Sequence, residues 1–151
     1  MNEFLNKYND FLSVFNKGKT MVLSSCEDNK VSSRMMSIVY IDGLFYFQTD
    51  MKFRKYRELI NNPQVALCID NIQIEGVCKE IGHPMANTQF CSEYGKNFNT
   101  SFNLYSSLKN ERLFAVYPTF IERWLYIDGV PFIEIFNVEH QVYKLTKYER
   151  E

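Results

Sequence analysis

Leu44-Phe45-Tyr46-Phe47-Gln48-Thr49-Asp50, followed by Lys52, Phe53, Arg54, Lys55, Tyr56 and Arg57 and closed by Asn61-Asn62-Pro63, is the stretch whose reading decides the fold. Leu44–Thr49 has the aromatic, apolar character of a strand. Over residues 51–61 Phe53, Tyr56 and Ile60 recur on one helical face, with Asp50 placed to cap the start and Pro63 to end the run. Lys52, Arg54, Lys55 and Arg57 therefore crowd the beginning of a helix. That end carries a partial positive charge and free N–H groups, so cations there are unfavourable by themselves. They make sense if an anion sits among them, and phosphate is the usual one. A solvated basic face is the competing reading.

Working outward, the chain is rich in strands. Residues 2–16 read as an amphipathic helix, with Phe4, Leu5, Tyr8, Phe11, Leu12 and Phe15 at helical spacing and Gly18 closing it. Thr20–Ser25 and Val31–Ile41 read as strands joined by a turn at Glu27-Asp28-Asn29-Lys30. Asp42-Gly43 is a hairpin signal that leads into Leu44–Thr49. Beyond the basic helix, Gln64–Asp70 and Ile72–Ile81 form a strand pair, and Gly82-His83-Pro84 breaks the sheet. One or two helices are expected within residues 85–109. Arg112–Tyr117, Phe120–Ile127, Phe132–Val138 and Gln141–Leu145 are the last strands, with Pro118 separating the first two and Asp128-Gly129 turning the chain. Hairpin-linked strands with few helices predict a mainly β, antiparallel barrel.

Composition bounds the function classes. A chain of 151 residues with 46% hydrophobic content predicts a single domain, 1–151, with its own core. The net charge of -1 gives no general electrostatic case for nucleic acid or an anionic membrane. Cys26, Cys68, Cys78 and Cys91 form no CxxC pair, and only His83 and His140 are available to help build a metal site, so zinc is not indicated. The cysteine spacing and the lack of a secretory leader or a membrane-length apolar run predict reduced thiols and a cytoplasmic location.

With those elements in place, the chain resembles the pyridoxamine-phosphate-oxidase-like family of FMN-binding split barrels over about residues 19–82. The resemblance rests on Ser33-Arg34-Met35-Met36, on the aromatic strand ending at Thr49, and on Lys55, Leu59 and Asn62-Pro63 at the family's spacing. A strand pair ending at Gly76 completes it. The resemblance implies FMN bound at the interface of a C2 homodimer. It implies that Arg34 and Lys55 hold the phosphate, with Arg54 as a second ligand and Thr49 near the flavin, and that Met35 and Met36, next to Arg34, belong to the cofactor-binding segment. A partner-subunit aromatic often lies against the flavin in this family, which points to Trp124 or Tyr126. Gln73 or Glu75, on one side of their strand, would bond the ring edge. Each has a bland counterpart: Arg34 pairing with a carboxylate on the barrel rim, Lys55 exposed, Thr49 merely ending a strand, Gln73 and Glu75 pointing outward into solvent, Trp124 packing.

The departures narrow the activity. Met35 stands where the family often has Pro, and Phe53 where it often has a phosphate-binding Ser, so Phe53 is expected to pack inward. The tail shows no match to the Arg and His residues that hold the substrate phosphate in the true oxidase. The leading expectation is a flavoenzyme that takes hydride from a reduced nicotinamide cofactor and passes electrons to a small acceptor such as a nitro-aromatic compound or free flavin. A non-catalytic module for FMN or another flat anion is the alternative, and a haem-binding barrel using His83 or His140 the third.

Overall fold

In the computed structural model, which describes residues 2–150, eight strands form one antiparallel sheet, and part of it closes on itself. Strands β1 (Lys19–Glu27), β2 (Lys30–Ile41), β3 (Leu44–Asp50), β4 (Gln64–Ile69), β5 (Ile72–Glu80) and β6 (Glu111–Ile127) make the barrel. Its ring runs β1-β2-β3-β6-β5-β4, and the β3–β6 pairing from Phe45↔Val116 to Asp50↔Glu111 closes it. Strands β7 (Val130–Asn137) and β8 (Val142–Lys147) extend the sheet from the far half of β6. The split-barrel expectation agrees with this architecture.

Local chemistry sets the turns. Asp28-Asn29, Asp42-Gly43 and Asp128-Gly129 have positive φ at both central positions, the conformation that matches the twist of a two-residue hairpin. The barrel interior is filled by the period-two face of each strand, including Met21, Leu23, Ile38, Phe45, Phe47, Leu67, Ile74, Phe114 and Ile121. Phe47 and Phe114 stack at 5.3 Å across the closing pair. Helix α1 (Glu3–Leu12) lays Phe4, Tyr8 and Phe11 against Phe136 of β7, and Phe15, in the short 3-10 turn that follows, meets Phe45 edge-on.

The chain between β5 and β6 holds α3 (Thr88–Asn97) and α4 (Asn99–Tyr105), as expected for residues 85–109. Phe90 and Tyr94 of α3 cover Val39, Ile41 and Leu113 in a second apolar cluster.

Four expectations are corrected. Residues 112–127 are one strand, not two. Pro118 is absorbed because the register shifts opposite Glu75/Gly76, leaving Thr119 without a partner across the ladder. The carbonyl of Thr119 then accepts from the Val138 N–H at 3.0 Å. The basic helix, α2, spans Arg54–Asn61 rather than starting at 51, with Phe53 as its cap residue. Asp50 does not cap it. Its Oδ1 accepts from the Lys52 N–H at 2.7 Å, and its carbonyl accepts from Phe53, which holds Met51-Lys52 in a turn. The inward face of α2 is Glu58 and Leu59, whereas Phe53 and Ile60 are exposed.

Gly76 is where the register shift demands a missing side chain. A Cβ there would lie 2.7 Å from the Tyr117 carbonyl oxygen and 2.8 Å from Val116 Cγ1. Gly76→Ala is expected to destabilise the fold by about 1–3 kcal/mol, since one contact is unyielding backbone. Urea denaturation of the variant and the parent chain measures it.

Candidate functional site

The rim of the barrel beside α2 concentrates charge. Arg34 projects from β2 opposite Leu23 and donates four hydrogen bonds. Nη1 reaches the Leu23 carbonyl and Ser25 Oγ, both at 3.0 Å. Nη2 reaches Ser32 Oγ at 2.7 Å and Glu58 Oε1 at 2.9 Å. Of the five N–H groups of the guanidinium, these leave Nε–H. The carboxylate pairing anticipated as the bland reading of Arg34 is present.

Glu58 was not singled out from the sequence. Its side chain is 3% exposed and also accepts from Ser25 and Ser32 hydroxyls and from Arg54 Nε at 3.0 Å. Burial opposes its charge, but the Ser32 and Ser25 hydrogen bonds and the Arg54 and Arg34 charges outweigh it, holding the carboxyl below its ordinary value. The i,i+4 spacing of Arg54 and Glu58 is legible in the sequence. The burial that makes Glu58 a hub is not.

Beside this network lies a cavity of about 310 Å³ between the end of β3, the start of α2 and the α3–α4 segment. Lys55, Thr49, Phe53 and Glu111 line it together with Tyr94 and Tyr105. Lys55 is half-buried, and among the described residues it makes no ion pair within 4.0 Å. Burial and the neighbouring Arg34 charge lower its pKa, while Glu111 works the other way. Its Nζ lies 4.8 Å from the centre of the exposed Phe53 ring. The Thr49 hydroxyl is buried and has no hydrogen-bond partner among the described residues. Phe53 supplies no side-chain cap to α2. Cations, an orphaned hydroxyl and an uncapped helix start form a donor set that fits a phosphate.

Glu111 and Asp50 face one another directly across the β3–β6 ladder. Burial first and Asp50 second push the Glu111 carboxyl up to about 7, with Lys55 opposing. A protonated Glu111 adds a donor to the cavity and removes a charge that would repel an anion.

The remaining expected residues lie elsewhere. Met36 is in the barrel core, so its side chain serves packing, and Met35 is exposed on the other face of β2. Gln73 and Trp124 line a separate depression with Asn71, Glu122 and Ile133. Trp124 packs edge-on against Tyr126 and Tyr148. His83 is committed: Nδ1 accepts from the Met85 N–H at 3.1 Å, so Nε2 donates to the Leu108 carbonyl at 2.8 Å. His140 lies in the turn between β7 and β8.

A family model described as pyridoxamine 5'-phosphate oxidase matches residues 7–125. A curated pyridoxine/pyridoxamine 5'-phosphate oxidase of Ehrlichia chaffeensis is 38% identical over 84 residues, covering 48% of this chain and 42% of that protein. The match thus spans less than half of the curated relative's length. General stress protein 26 of Bacillus anthracis has the same fold, with a TM-score of 0.62 at 20% identity over 95% of this chain and 99% of that one. So has a pyridoxamine 5'-phosphate oxidase-related, FMN-binding protein of Nostoc punctiforme, with a TM-score of 0.59 at 12% identity over 99% of this chain and 98% of that one.

The Glu111 carboxyl gives a pH prediction. Its folded pKa of about 7 lies above the ordinary 4.5, so the folded chain holds the proton more tightly than the unfolded one. Its stabilising contribution is complete below 4.5 and is lost as pH rises through about 7. Glu111→Gln is expected to flatten this decline, gaining about 1–3 kcal/mol on the parent chain between pH 5 and pH 8. Urea midpoints at the two pH values measure it.

Proposed function

The chain belongs to the pyridoxamine 5'-phosphate oxidase family, and on that premise we propose that it is an FMN-binding oxidoreductase. In this reading it passes electrons from a reduced nicotinamide cofactor to a small acceptor, of the nitro-aromatic or flavin class. The observation that carries the reading is Lys55: a half-buried ammonium at a cavity wall, beside Arg34 and with no ion pair within 4.0 Å among the described residues. Its charge is penalised until an anion arrives.

Lys55, Arg54, the Thr49 hydroxyl and the first N–H groups of α2 would receive the phosphate. Arg54 is suited to this because its side chain is 66% exposed and only its Nε is bonded to Glu58. FMN, when bound, supplies the redox chemistry. The chain's residues bind it, orient it and exclude water, with Tyr94 and Tyr105 walling the cavity. Lys55 keeps its proton for the phosphate, and Glu111 holds one at its carboxyl near neutral pH.

The proposal includes a homodimer. The cavity and the Gln73–Trp124 depression share no lining residue, so Gln73 and Trp124 would meet the flavin from a second subunit. The exposed Met35, Val31, Trp124 and Tyr126 side chains are the apolar surface such a contact would cover. Sedimentation equilibrium of the FMN-loaded protein is expected to give a dimer, and a loaded monomer would refute this arrangement.

The visible spectrum of protein mixed with FMN and then desalted tests the cofactor. A retained flavin spectrum is expected, followed by oxidation of NADH or NADPH. Retention without turnover would leave a flavin-binding module, and no retention would remove the flavin reading. Lys55→Ala is expected to weaken FMN binding by about 1.5–3 kcal/mol, the scale of a lost charge-assisted hydrogen bond. Riboflavin, which lacks the phosphate, should bind both proteins alike; fluorescence-quenching titrations compare them.

A further inference from the structure

Resting on that reading of the site, we infer that Glu58 is a specificity-determining residue: by holding Arg34 and Arg54 it limits how strongly the site prefers a phosphorylated ligand to its unphosphorylated counterpart. The carboxylate is bonded to the two guanidiniums that an anionic ligand at the rim would compete for. Oε1 accepts from Arg34 Nη2 at 2.9 Å and Oε2 from Arg54 Nε at 3.0 Å, so one buried charge bridges two guanidiniums. Ser25 and Ser32 tighten the bridge, since each hydroxyl accepts from Arg34 and donates to Glu58. The bridge therefore resists exchange of Arg34 onto a ligand. Arg34 also lies near enough to Lys55 to lower its pKa. Three cations thus share one rim, and the buried carboxylate cancels part of the potential they would otherwise present to a phosphate.

A purely structural role for Glu58, pinning α2 to β1 and β2, is the competing explanation. It does not predict a difference between ligands that differ only in a phosphate. The anchoring of α2 has an apolar component of its own, because Leu59 is 2% exposed in the barrel core.

Glu58→Gln separates the two explanations. The amide keeps the shape and an acceptor for Arg34 but removes the charge. FMN affinity is expected to rise about tenfold, the order for removing a unit charge several ångströms from a phosphate at a protein surface. Riboflavin affinity should stay within about twofold. In the Glu58→Gln background Arg34→Gln should abolish the gain, and in the parent chain it should weaken FMN binding by a similar factor, because it removes the opposite charge from the same place. Fluorescence titration of the four proteins gives these values, with thermal unfolding confirming that each is folded.

Unchanged or weaker FMN binding in folded Glu58→Gln would overturn the inference, as would a gain of the same size in riboflavin affinity. Should Glu58→Gln not fold, Glu58→Asp draws the carboxylate back from both guanidiniums and should shift FMN affinity in the same direction; no shift overturns the inference. If the parent chain does not hold FMN, the flavin reading fails separately, and inorganic phosphate becomes the probe. A larger phosphate-dependent rise in Tm for Glu58→Gln than for the parent chain then supports the role of Glu58, and equal rises overturn it.

Discussion

The pairing of β3 with the first half of β6 is the constraint on which the rest of the molecule depends. Without it the sheet is an open ribbon, and Phe45, Phe47 and Phe114 face no enclosed interior. With it, six strands form a ring and these side chains become a core. The same pairing places Thr49 and Asp50 opposite Arg112 and Glu111, and so builds one wall of the cavity. It also fixes where α2 departs, because the turn that launches it is tied to the barrel by the Met51 N–H donating to the Asn110 carbonyl. The fold and the candidate site are thus consequences of one long-range ladder.

β6 meets two demands that conflict. Its first half must close the barrel, while its second half must carry β7 and β8 beyond it. Pro118, Thr119 and Gly76 reconcile them. The extra residue re-aims the strand, the proline's missing N–H falls at the irregular position, and the glycine lets the Tyr117 carbonyl approach. The outcome is a single strand that belongs to the barrel at one end and to an outer sheet bearing Trp124 and Tyr126 at the other.

The rim shows how a site can carry excess cations without unfolding. Arg34 and Arg54 are neutralised in part by Glu58, whereas Lys55 is left facing the cavity. Burial works against every charge here, and hydrogen bonding decides which ones persist. Glu58 stays ionised because hydroxyls and guanidiniums surround it, while Glu111, facing Asp50 and short of donors, is driven toward its protonated form.

The sequence by itself determined the local features. Apolar alternation located the strands, Asp42-Gly43 and Asp128-Gly129 marked their hairpins, helical spacing marked α1, and the basic run with Asn62-Pro63 bracketed α2. These signals are short-range, carried by propensity, periodicity and turn chemistry within a few residues. Only the tertiary structure decided that Pro118 marks an irregularity within one strand instead of a break between two, that Glu58 rather than Phe53 faces inward, that His83 has both ring nitrogens engaged, and that Glu111 shares a cavity with Lys55. Each depends on partners distant along the chain: Ser25 and Ser32 for Glu58, Leu108 for His83, Asp50 for Glu111. Periodicity within a segment assigns a face, but what that face meets is set when the β3–β6 ladder closes, and burial and charge pairing acquire their values only then.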